Sequence, residues 1–274
     1  MIQILTEPFA YGFMQNAFAI AALIAVPSAL LSCFLVLRGW SLMGDAVSHA
    51  VLPGIVLAYV AGLPLILGAF AAGMFCSLTA GFVQDNSRVK QDTVLGVVMS
   101  GMFGLGIVML TQISTDLHLD HVLFGNILGT GAPELWRAGG IGLAVTAALL
   151  VTWRDYGLFS FDPVQARVVG LPTRALHYGL LAMLSVMVVA MLSSVGIILS
   201  VALLIAPGAI AYLIAPRRLG RMLAVAVMVS LSGAILGVWL SFWIDSATAP
   251  TIVLVLTAIF VATFAFRQIQ LARA

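Results

Sequence analysis

The sequence predicts an all-α, polytopic integral membrane protein with eight or nine transmembrane helices and no soluble domain. Three observations point there. Of the 274 residues, 62% are hydrophobic and only 8% are charged, whereas a soluble domain carries about 25% charged residues. Mean hydropathy is +1.17. Apolar runs near the length of about 20 residues needed to cross a bilayer as helix recur from end to end. They use up the chain, so residues 1–274 form a single transmembrane domain.

Nine runs fit this description, at roughly 12–37, 42–61, 64–83, 93–113, 133–153, 175–192, 195–215, 222–244 and 249–266. The first is longer than a span requires, so it tilts or begins as an interfacial segment. In the second case eight spans remain. The N-terminus, MIQILTEPFAYGF, lacks a basic start and carries Glu7, so it does not read as a cleaved signal peptide. Cys33 and Cys76 sit inside apolar runs and read as small core residues. The charges carry no basic and aromatic clusters of the kind that bind nucleic acid.

Alternation of nine spans with the N-terminus outside places Arg38, Arg88, Lys90, Arg154, Arg167, Arg174, Arg217, Arg218, Arg221, Arg267 and Arg273 inside. Arg137 alone falls outside. Lys and Arg excess marks cytoplasmic loops, so this orientation puts the C-terminus in the cytoplasm.

Small residues mark helix contacts. Gly233 and Gly237 form a GxxxG pair in the eighth run, and Ser100 and Gly104 a similar pair in the fourth. No internal repeat stands out.

The stretch from Arg38 to Gly54, RGWSLMGDAVSHAVLPG, carries the most chemistry. Asp45 and His49 are four residues apart, so on a helix they share one face. Ionisable groups inside a membrane are costly unless paired or turned to a polar cavity. One Asp and one His make half a coordination sphere. A two-fold dimer would supply two imidazoles and two carboxylates, a set suited to manganese, ferrous iron or zinc. Ser48 is placed to support the ligands. The structural alternative is an Asp at the helix start and a hydrogen-bonded buried His. Pro53 follows one turn later and bends or loosens the helix beside the pair.

Three other stretches stand out. The segment 114–131 contains Asp116, His118, Asp120 and His121 before a short apolar run. It reads as a small external helix, about 118–129, whose acids and imidazoles either capture a cation or are simply solvated. The stretch 154–171 reads as a cytoplasmic loop. In it Asp162 is an N-cap, Pro163 opens a short helix of about 163–169, and Gly170 and Pro172 end it. That helix either lies on the membrane surface or docks into a soluble partner. Pro207, within Ala206–Gly208, breaks the seventh run, as a static kink or as a break lining the pathway.

Lys90 is the one lysine, and no GxxxxGK[ST] motif precedes it. With no phosphate-binding loop, ATP-driven transport would need ATP bound on another subunit.

With these residues in place, the chain resembles the membrane permease subunit of the bacterial ABC importers for manganese, zinc or iron. The blocks that carry the resemblance are Arg38–Gly54, Asp92–Gly96 (DTVLG), Leu123–Gly125 (LFG), Phe161–Leu171 (FDPVQARVVGL) and Leu203–Gly208 (LLIAPG). They run in order over nearly the whole chain. The resemblance implies a bacterial plasma membrane protein that pairs with a second permease, two cytosolic ATPase subunits and an external metal-binding protein, periplasmic or lipid-anchored. Asp45 and His49 fall on the family's intramembrane metal-coordinating pair. Asp162, Pro163, Ala166 and Gly170 fall on its coupling helix. The wording SHAVLPG, with Pro53, resembles the manganese and iron branch more than the zinc branch. The metal is then substrate, with no resident cofactor, and the chain is a transport subunit, not an enzyme. Uptake should weaken at acidic pH, because only neutral imidazole binds metal. The alternative is a secondary transporter in which Asp45 and His49 carry protons; an intramembrane hydrolase lacks partners for the pair.

Overall fold

The computed structural model describes residues 7–113, 125 and 127–273. The helices in chain order are α1 (Gly12–Arg38), α2 (Met43–Val60), α3 (Leu65–Asn86), α4 (Gln91–Gln112), α5 (Ala132–Phe161), α6 (Pro163–Val168), α7 (Thr173–Ile214), α8 (Leu219–Ile244) and α9 (Thr248–Arg273). Short 3-10 turns at Glu7–Ala10 and Ile127–Gly129 precede α1 and α5. Among the described residues nine helical stretches are long and apolar enough to cross a membrane. The eight-span arrangement is therefore set aside: the first run is a continuous helix of 27 residues.

α1 is the centre of the bundle. It is apolar on every side, and a helix of that kind belongs in an interior. Ile20, Ile24, Leu31 and Phe34 are fully buried. α5, α7 and α8 pack around it. The approach of α7 is close because Gly208 has no side chain: a Cβ there would sit 2.5 Å from the Ser32 carbonyl carbon. From α8, Ser230 Oγ donates 3.0 Å to the Ala25 carbonyl.

α7 holds two spans in one helical run of 42 residues. Straight, it would be about 63 Å long, roughly twice the hydrocarbon core. The run breaks at Gly196, whose φ of 74° and ψ of −179° lie outside the helical region. Contacts show that the chain folds back there. Ser28 Oγ meets Met191 Sδ at 3.2 Å, while Ser32, one turn along α1, faces Gly208. Similarly, Trp40 touches His177, and Gly44 lies beside Leu204. The two arms of α7 therefore run antiparallel, and its end returns to the side of the membrane where α6 lies. A Cβ on Gly125 would collide with the Gly196 nitrogen and the Val195 carbonyl carbon, so the connection before α5 rests directly on the fold-back.

The small-residue pairs meet different fates. Gly233 and Gly237 receive α9: added Cβ atoms would lie 2.5 Å from Leu256 Cδ2 and from Ile252 Cα. The pair in α4 meets no packing partner among the described residues. Ser100 and Gly104 are exposed, and nothing lies within 4 Å of a Cβ built on Gly104.

The expected loop from 154 is shorter than anticipated, because α5 continues to Phe161. The cause is an apolar stripe that persists through the charged residues Arg154 and Asp155. Tyr156 and Phe159 are buried, and Tyr156 packs its ring 5.7 Å from Phe34. The anticipated external helix of about 118–129 falls mostly outside the described residues. Its described end, Ile127–Gly129, is a 3-10 turn.

Candidate functional site

The path into α2 is set by the end of α1. Gly39, at φ 71°, closes α1, with Gly39 N–H donating to Val36 and Trp40 N–H to Leu35. This glycine-terminated cap satisfies the last carbonyls and turns the chain sharply. Arg38 then lies with its guanidinium 4.9 Å from the Trp40 ring centroid and 4.4 Å from that of Phe159. Trp40 in turn stands edge-on to His177 at 5.0 Å.

α2 is pressed by three neighbours. Gly54 meets Gly68 of α3 backbone to backbone, each leaving no room for a Cβ on the other. Gly106 of α4 faces Leu52, at 2.9 Å from a built Cβ to Leu52 Cγ. Gly44 faces Leu204 Cδ1 of α7, at 3.2 Å by the same measure. The flank left open is the one that carries Asp45 and His49. Their side chains are 33% and 28% exposed, so both can be reached from outside this single chain.

Asp45 Oδ1 and His49 Nε2 are 3.5 Å apart, longer than a good hydrogen bond of about 2.7–3.2 Å. Two ligand atoms on one tetrahedral ion, each about 2.1 Å from it, stand about 3.4 Å apart. The pair is thus spaced so that both atoms can reach one cation. Phe103 of α4 sets its ring edge-on to the His49 imidazole at 5.1 Å, which fixes one side of the ring. Pro53 lies four residues past His49 and has no N–H, so the His49 carbonyl lacks its usual helical donor. Ser48 is buried and donates its hydroxyl 2.7 Å to the Gly44 carbonyl, away from both ligand atoms. Among the described residues no group of three or more His, Cys, Asp or Glu comes together. Asp116, His118, Asp120 and His121 lie outside the described residues.

At the other sequence-predicted element, Asp162 Oδ1 accepts from the Val164 and Gln165 N–H groups at 2.9 Å each, and Pro163 takes the first helical position. Gly170, at φ 85°, ends α6 with the same cap as Gly39, through Gly170 to Arg167 and Leu171 to Ala166. Ala166 is buried at 0% exposure, which seats α6 on the bundle. Val164 and Val168, at 73% and 83% exposure, point away from it. A cleft of about 350 Å³ beside α6 is lined by Arg38, Trp40, Phe159, Arg167, Arg174 and His177. Pro207 lies in the returning arm of α7, next to the Gly208 contact with α1.

Sequence reasoning did not single out Phe103 or His177. Phe103 shares an apolar run with many similar residues, so nothing local marks it. His177 had a signal: it is an imidazole in the opening turns of a membrane span, with Arg174 beside it.

Comparison with known proteins agrees with this architecture. Residues 10–267 match the ABC 3 transport family. The chain is 50% identical over 270 residues to the chelated iron transport system membrane protein YfeD of Yersinia pestis, covering 98% of this chain and 91% of that protein. It is 43% identical to the manganese transport system membrane protein MntC of Halalkalibacterium halodurans, covering 95% of this chain and 89% of that one. Among solved structures, PsaBC from Streptococcus pneumoniae in complex with Fab superposes with a TM-score of 0.85 at 33% identity, over 96% of this chain and 95% of that chain. The buried α1, the folded-back α7 and the capped α6 thus belong to a membrane transport subunit, and the chain is a member of the ABC 3 transport family.

Proposed function

We propose that this chain is the membrane permease of an ABC importer that carries manganese or ferrous iron into the cytoplasm, and that Asp45 and His49 hold the ion in transit. The observation that carries this reading is the open, half-filled pair: two hard-to-intermediate ligand atoms 3.5 Å apart on an otherwise packed helix. A second permease copy related by a two-fold axis supplies another Asp45 and His49 and completes a four-ligand site. Oxygen and imidazole donors without thiolate suit manganese, ferrous iron or zinc, and the wording SHAVLPG, which resembles the manganese and iron branch more than the zinc branch, supports the first two. The names of the similar iron and manganese transport proteins support the same substrates.

ATP is hydrolysed on separate cytosolic subunits, which grip the exposed valines of α6. An external metal-binding protein, periplasmic or lipid-anchored, delivers the ion to the opposite face, where Asp116, His118, Asp120 and His121 can receive it. The N-terminus is outside and the C-terminus cytoplasmic, which the bias of eleven basic residues to one side supports. Pro53 and Pro207 loosen the helices that flank the path.

The test is metal accumulation in cells lacking this gene, rescued by wild type or by His49→Ala, with manganese, iron and zinc in parallel. Metal-selective rescue that His49→Ala loses at equal expression supports the reading. Full rescue by His49→Ala overturns the role of the pair. Uptake that survives loss of the ATPase overturns the ATP-driven mechanism.

A further inference from the structure

A second charged constellation includes neither Asp45 nor His49. An open cleft of about 800 Å³ forms where α7 ends, α8 begins and α9 ends. Arg217, Arg218, Arg221 and Arg267 line it, and among the described residues no carboxylate does. The sequence explains the imbalance: after Asp162 the chain has a single further acid, Asp245, which sits at the opposite end of α8.

The four guanidiniums do two different things. Arg267 is structural. Its Nε donates 2.7 Å to the Leu213 carbonyl and its Nη2 3.0 Å to the Ile214 carbonyl, capping the end of α7 from α9. Arg217, Arg218 and Arg221 are exposed and make no ion pair among the described residues. Their position is electrostatically unfavourable. They crowd the first turn of α8, whose start has no side-chain cap, and a helix N-terminus disfavours cations and favours anions. An anion in the cleft would answer both the three cations and the uncapped amide groups.

The rim says which anion. Ile214 and Leu271, 44% and 71% exposed, and Tyr212 line the same cleft. Apolar side chains with a tyrosine beside a basic pocket at a helix end match an acyl chain continuing from a phosphate headgroup. A free soluble anion would have no use for that rim. We propose that this cleft binds the headgroup of an anionic phospholipid, with Arg217, Arg218 and Arg221 on the phosphate and the α8 N-terminus behind it. The bound lipid offsets part of the charge at the α7–α8 turn and braces the α7 end against α9.

The experiment uses the full chain, purified and delipidated in neutral detergent. Phosphatidylglycerol is titrated back, with phosphatidylcholine as control, and retained lipid is counted by native mass spectrometry. Phosphatidylglycerol is expected to be retained selectively. The variant Arg217→Gln/Arg218→Gln/Arg221→Gln, which leaves the Arg267 cap in place, should weaken retention about a hundred-fold, the effect of three cations near a membrane surface. On the unaltered protein, raising salt from about 0.05 to 0.5 M should weaken retention, because screening shortens the reach of the charges; this arm does not depend on the variant folding. Equal retention of phosphatidylcholine, salt-independent retention, an unaffected triple variant, or full displacement by millimolar inorganic phosphate overturns the proposal. So does a triple variant that keeps its lipid but no longer assembles with a cytosolic subunit, which would assign the cleft to a protein partner.

Discussion

Asp45 Oδ1 and His49 Nε2 face the same open flank of α2 at 3.5 Å, one turn apart, with Phe103 closing one side of the imidazole. Replacing Asp45 by Asn keeps the shape and removes the charge, so folding should be preserved while metal uptake falls at least about ten-fold, the effect of losing roughly 1.4 kcal/mol of ligand affinity. His49→Ala should fall as far. Radiolabelled manganese uptake at matched expression checks both.

Protons compete with metal for the same imidazole nitrogen. His49 binds a cation only when neutral, so uptake should weaken as the medium is acidified. In an Asp45→Ala/His49→Ala background no such decline should remain above the residual uptake. Initial uptake rates across a pH series measure it.

The Gly54–Gly68 contact predicts a packing failure. Each added Cβ would run into the backbone of the opposing helix, so relief requires α2 and α3 to separate. Gly54→Val should cost more than the usual overpacking penalty of about 1–3 kcal/mol. It should lower the thermal midpoint of the purified protein and reduce yield. Gly104→Val, with open space around it, should leave the isolated chain as stable as wild type in the same assay.

Asp162→Ala removes the acceptor for two backbone N–H groups of α6. Loss of an N-cap costs about 1 kcal/mol, enough to fray a helix of six residues without unfolding the bundle. Uptake should drop several-fold while protein level and thermal midpoint hold. Asp162→Asn, which keeps an acceptor, should retain most of the activity.

Much of this architecture was readable in advance. The nine apolar runs, the Asp162 cap with its following proline and the shared face of Asp45 and His49 all follow from hydropathy, capping chemistry and helical period. Other features are invisible to such reasoning for physical reasons. Lipid tails are as apolar as leucine, so a small-residue pair does not reveal whether it meets protein or lies open: Gly233–Gly237 holds α9, and Ser100–Gly104 lies exposed among the described residues. The length of α5 depended on where Tyr156 and Phe159 found partners, Phe34 and Arg38, more than a hundred residues away. The hidden orientation of Ser48 turned on a competition between its own backbone and the site, which the backbone carbonyl of Gly44 wins in helix geometry.

The meeting of Gly125 with Gly196 bears on how this protein can diverge. Two backbones in direct contact leave no side chain to act as a spacer, so the register between the Gly125 connection and the α7 reversal is locked to the residue. Between Gly125 and the start of α5 a single added residue would unseat the hairpin that flanks α2. The Gly125 connection and the α7 reversal beneath it are therefore constrained to change together.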